Sequence, residues 1–114
     1  ALKRATAFVK AGADGIMIHS RKKSPDEILK FCQIFRKTNN KTPIVVVPTS
    51  FNSITEEELA EAGVNIVIYA NQLTRSAFPA MQSTAEDILK NHRALEVDSR
   101  LMPFKDIIRL IDEI

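Results

Sequence analysis

The chain has 114 residues, of which 45% are hydrophobic and 26% charged, a balance that excludes a disordered tail and fits a globular unit. Sixteen basic residues are interspersed with fourteen acidic ones for a net charge of +2, too small to argue by itself for a nucleic-acid surface. The single cysteine, Cys32, excludes an internal disulfide framework and suits a reducing, cytoplasmic setting. No apolar run nears the roughly 18 residues that a membrane span needs.

In chain order, Leu2, Ala5, Phe8 and Val9 fall at spacings of three and four, which predicts an amphipathic helix stopped at Gly12. That helix begins without a cap and the chain without Met, which suggests a piece of a longer chain. A short apolar run follows, and a strand is expected near 14–19. "SPDE" then reads as a helix start, with Ser24 as N-cap, Pro25 in the first turn and Glu27 closing a capping box. The helix it opens is expected to bury Ile28, Phe31, Cys32 and Phe35. "PIVVVP" predicts a second strand, near 43–48. A second capping box, Thr55 to Glu58, opens a short helix, with the acidic run Glu56 to Glu58 favourably placed at its N-terminus. "NIVIYA" predicts a third strand near 65–70, and a helical stretch runs from about Gln72 to Asn91. Pro79 is expected to kink or restart that stretch. "ALEVDSRLM" reads as irregular, and a last helix after Pro103 is expected to bury Ile107, Ile108 and Ile111.

The segments "AGADGIMI" and "AGVNIVIY" echo one another, with Ala11 over Ala62, Gly12 over Gly63 and Asp14 over Asn65. Each is a helix end, a glycine turn and an apolar strand. Alternating helices and unbroken apolar strands imply an α/β fold with a parallel sheet buried on both faces, either barrel or doubly wound. In both architectures ligands gather at the carboxyl ends of strands. His19 and Ser20, Thr49, and Asn71 stand at those three ends. His19 reads either as a general acid, base or anion contact, or as an ordinary strand-end residue. Ser20, Thr49 and Asn71 are candidates for substrate hydrogen bonds, or else simply end strands and cap helices. The basic run in "SRKK" reads as solvated surface or as an attractor of anions. Cys32, on an apolar helix face, reads as packing. No metal-spaced cluster and no glycine-rich phosphate loop is present.

"AGADGIMIHS", "VVVPT" and "IYAN", in that order and spacing, resemble the phosphoenolpyruvate mutase family of the isocitrate lyase superfamily, and the resemblance runs over almost the whole chain. It implies that residues 1–114 form one incomplete domain, the last three βα units of a (β/α)8 barrel of the TIM type, plus C-terminal helices. The implied activity is an isomerase reaction that interconverts phosphoenolpyruvate and phosphonopyruvate and makes a carbon–phosphorus bond. It would depend on Mg²⁺, with the metal ligands upstream of these residues. A phosphonopyruvate hydrolase or a carbon–carbon lyase of the superfamily are alternatives, and a non-catalytic α/β interaction module is another. The resemblance places His19 against the anionic oxygens of the substrate, with Ser20 beside it. It also implies a homo-oligomer in which the helix of residues 72–91 is exchanged between subunits, and inactivity of these 114 residues alone. The implied partner is a small anionic substrate, with neither nucleic acid nor membrane.

Overall fold

The computed structural model describes residues 1–110. In chain order the elements are α1 (Leu2–Lys10), β1 (Ile16–Ile18), α2 (Asp26–Thr38), β2 (Ile44–Val46), α3 (Glu56–Glu61), β3 (Ile66–Val67), α4 (Gln72–Asn91), a 3₁₀ turn (Leu95–Arg100) and α5 (Phe104–Arg109). They form two compact units, Ala1–Asn71 and Gln72–Ile114.

In the first unit the strands pair in parallel in the order β1-β2-β3, with Ile16 beside Ile44, Met17 beside Val45 and Val45 beside Ile66. All three strands are shorter than the spans expected near 14–19, 43–48 and 65–70. The order advances in one direction, and right-handed crossovers then place successive helices on one face of the sheet. That face carries the core: Ala5 of α1, Ile28, Phe31, Cys32 and Phe35 of α2, Leu59 of α3, and Ile16, Ile44 and Val46 of the strands. The α2 positions are the four that the helical spacing selects, and burying Ile28, Phe31 or Phe35 stabilises by roughly 1.5–3 kcal/mol each.

The expectation of strands buried on both faces is corrected. Side chains alternate across a strand, and the row Met17–Val45–Ile66 turns away from the helices. Met17 is 61% exposed and Ile66 49%, because within this unit nothing covers the second face. Phe8, expected on the apolar stripe of α1, is also exposed.

Both glycine turns of the internal echo are real. Gly12 has φ +100° and Gly63 φ +93°, the left-handed geometry that ends a helix without a Cβ penalty. At the second turn Arg36 of α2 reaches across. Its guanidinium donates to the carbonyls of Gly63, Asn39 and Thr42 and to Asn65 Oδ1. Asn65 Oδ1 also accepts from the Ile44 amide at 3.0 Å. One side chain thus ties α2 to the segments that enter β2 and β3.

The capping box at Thr55 and Glu58 forms in both directions. The box expected at Ser24 does not: Ser24 Oγ accepts from the Asp26 amide, but Glu27 is engaged elsewhere. In the second unit α4 is continuous through Pro79 rather than restarting there. The stretch read as irregular contains the 3₁₀ turn, with Val97 fully buried. Arg100 pairs with Asp87 of α4. The last helix was expected to bury Ile107 and Ile108, and both are exposed. Ile111 lies outside the described residues.

Arg36→Met is expected to lower stability by about 2–3 kcal/mol, since four acceptors lose a charged donor at once. Gly63→Ala is expected to cost a similar amount. It strains a positive φ, and a Cβ there would meet Arg36 Nε at 2.7 Å. Because both changes damage one contact, urea denaturation of the full-length protein should show the double variant losing clearly less than the sum.

Candidate active site at the carboxyl ends of the strands

His19 follows β1 directly and continues the alternation of Met17, so its imidazole belongs to the open side of the sheet. The side chain is exposed, and its ring lies 6.3 Å from the ring of Phe51 at 50°. Phe51, in the loop after β2, is fully buried. An aromatic core residue therefore supports the imidazole from the neighbouring loop.

Ser20 points the other way. It is the one buried polar residue among the described residues, at 5% exposure. Its hydroxyl donates to Glu27 Oε2 at 2.7 Å and accepts from the Lys22 amide at 3.2 Å. Lys22 Nζ returns to Glu27 Oε1 at 2.6 Å. The hydrogen bond from Lys22, then that from Ser20, holds the Glu27 carboxyl below its usual range, and the same pair raises Lys22. The segment after His19 is thus pinned to the first turn of α2.

Thr49 sits in the turn after β2, its amide donating to Val47 O at 2.8 Å. It lines an open cleft with Arg21, Lys23, Ser50, Asn52 and Ser53. Asn71 is half-buried immediately before α4. The structure therefore brings His19, Ser20 and Thr49 to the carboxyl edge of adjacent strands β1 and β2, with Ser20 facing α2 and His19 facing outward. Asn71 follows β3. Tyr69, just past β3, donates to Glu56 Oε1 at 2.8 Å, and this bond raises its phenol pKa. Cys32 is fully buried in the core, and burial pushes its thiol up, so it is packing rather than a nucleophile.

Sequence reasoning missed Glu27 as the anchor of this edge. The spacing of Ser24 and Glu27 drew it to a capping box, and no local pattern signals a partner seven residues upstream. It also missed Phe51, whose burial beside His19 depends on two loops meeting. Among the described residues, no three His, Cys, Asp or Glu side chains come together to hold a metal ion. The residues present therefore do not by themselves form an Mg²⁺ site.

A parallel α/β unit with its polar groups gathered where strands end is the layout of a small-ligand site. The family model described as phosphoenolpyruvate phosphomutase matches residues 1–89, and the chain belongs to that family. A phosphoenolpyruvate phosphomutase of Tetrahymena pyriformis is 36% identical over 113 residues, which is 99% of this chain and 37% of that protein. A phosphonopyruvate hydrolase of Variovorax sp. (strain Pal2) is 41% identical over 111 residues, 96% of this chain and 37% of the hydrolase. The crystal structure of a phosphoenolpyruvate phosphomutase from Streptomyces platensis subsp. rosaceus superposes with a TM-score of 0.88 at 36% identity, over 96% of this chain and 37% of that one. A phosphonopyruvate hydrolase solved in complex with oxalate and Mg²⁺ gives a TM-score of 0.84 at 41% identity, over 96% and 38%. The chain thus spans little more than a third of the length of these relatives. Among the described residues no helix is long and apolar enough to cross a membrane.

Glu27 carries a lowered pKa, so its contacts steady the loop above the ordinary carboxyl value of 4.5 and are lost as pH falls through the lowered one. The protection factor of the Lys22 amide, its exchange rate relative to the intrinsic rate at each pH, should fall across that acid range when followed by NMR in the full-length protein. In Glu27→Gln that protection should be low at neutral pH already and change little toward acid.

Proposed function

We propose that this chain is the C-terminal part of a (β/α)8 barrel that interconverts phosphoenolpyruvate and phosphonopyruvate. The supporting observation is the exposed imidazole of His19, braced by Phe51 at a strand's carboxyl end, in a chain of the phosphoenolpyruvate phosphomutase family. The reaction breaks the bond from phosphorus to the enol oxygen and forms one from phosphorus to carbon. Charge is spread over phosphoryl oxygens as the group transfers, and a positioned donor that meets that charge lowers the barrier. His19 is the residue of this chain in that role, donating from a ring nitrogen to an anionic oxygen of the substrate. Ser20 steadies the strand end, while Thr49 and Asn71 border the site. Mg²⁺ would be held by residues outside those described here, consistent with the hydrolase relative solved with that ion.

The second reading is phosphonopyruvate hydrolysis, in which water takes the phosphoryl group and pyruvate leaves. It is favoured by the 41% identity to the hydrolase, against 32–36% to the phosphomutases. In both readings the open sheet face, with Met17 and Ile66, becomes barrel interior. The exposed apolar residues of α4, Leu73, Phe78 and Met81 among them, would meet a second copy of the chain in a homo-oligomer.

Phosphorus NMR of phosphonopyruvate with the full-length protein and Mg²⁺ separates these readings. A phosphoenolpyruvate signal supports the isomerase, inorganic phosphate supports the hydrolase, and an unchanged spectrum refutes both. His19→Ala should reduce turnover at least 100-fold, or about 2.7 kcal/mol of transition-state stabilisation, with unchanged thermal unfolding. Equal turnover would remove His19 from the site. Sedimentation of Leu73→Glu/Met81→Glu should show a smaller oligomer than the parent; an unchanged oligomer would exclude α4 from the contact.

A further inference from the structure

Between the loops that follow β1 and β2 lies the open cleft of about 600 Å³ lined by Arg21, Lys23, Thr49, Ser50, Asn52 and Ser53. Its lining contains two cations, three hydroxyls and one carboxamide, and no carboxylate. The three consecutive basic residues of the first loop do not act alike. Lys22 is turned back onto Glu27 at 2.6 Å, so its charge is spent on α2. Arg21 and Lys23, on either side of it, are exposed and make no ion pair among the described residues. The anchored Ser20 sets this division by fixing the loop immediately before it.

We infer that this cleft is an oxyanion-binding subsite at the carboxyl edge, taking a phosphate, phosphonate or carboxylate group through Arg21 and Lys23. The guanidinium offers a planar pair of donors suited to two oxygens of one group, and the ammonium adds a compact charge. Thr49, Ser50, Asn52 and Ser53 supply neutral hydrogen bonds from the facing loop. Free cations opposite neutral donors, with no competing acid, favour an anion over a cation or an apolar ligand. Being open to solvent, the site binds modestly and is weakened by salt. It rests on the geometry of these two loops, not on the reaction proposed above.

The test is calorimetric titration of inorganic phosphate into the full-length protein, with EDTA present and at low ionic strength. Arg21→Ala/Lys23→Ala should weaken phosphate binding at least tenfold, while Lys22→Ala, which removes an equal kind of charge already paired, should change it less than twofold. Phosphate binding indifferent to the double variant would overturn the subsite. So would a loss in Lys22→Ala as large as that in the double variant, since that would be diffuse surface attraction. The substituted side chains are exposed, and matching thermal unfolding of the variants confirms that folding is intact. Phosphorus NMR of phosphonopyruvate turnover is read separately, so an inactive protein that still loses phosphate binding in the double variant would refute the proposed reaction and keep the cleft.

Discussion

The first unit depends on one side chain at the amino edge of its sheet. Short parallel strands joined by crossovers have few backbone bonds of their own, and β3 holds only two residues. Something other than the ladder must fix where each strand starts. Arg36 does so by donating from α2 to Gly63, Asn39 and Thr42 and to Asn65 Oδ1, which in turn accepts from the first amide of β2. A guanidinium suits the task because its donors diverge in a rigid plane. Gly63 must stay a glycine both for its positive φ and because Arg36 fills the space where a Cβ would stand.

With starting points fixed at one edge, the opposite edge is free to carry chemistry. There the chain alternates its commitments residue by residue. His19 faces outward beside Phe51, Ser20 turns inward to Glu27, Arg21 and Lys23 line the cleft, and Lys22 folds back onto α2. Side-chain alternation at a strand end accounts for the first two steps, and the Ser20 anchor for the rest. The residues that hold this edge are thus distinct from those that present it.

Much of the first unit is legible in the sequence because its signals are local. The spacing of Ile28, Phe31, Cys32 and Phe35 defines the buried stripe of α2, and Thr55 with Glu58 caps α3 as their separation demands. The two echoing glycines mark the helix ends. Legibility fails where one residue has rival partners. Glu27 stands at the right distance to cap Ser24 and goes instead to Ser20 and Lys22. It fails also where burial depends on what covers a face. Unbroken apolar strands read as doubly buried, yet Met17 and Ile66 are exposed here, as are Ile107 and Ile108.

Composition, periodicity and helix punctuation by themselves determine the alternation of helices with parallel strands, the core stripe of α2 and the placing of His19 at a strand end. These depend on contacts within a turn or two, which the order of residues encodes directly. Only the tertiary structure decides that Arg36 unites three chain segments, that Phe51 braces His19, and that two of three adjacent cations face one cleft. Those outcomes join residues many positions apart, and the physical reason is competition. Each donor or charge meets several acceptors in the folded chain, and packing selects among them.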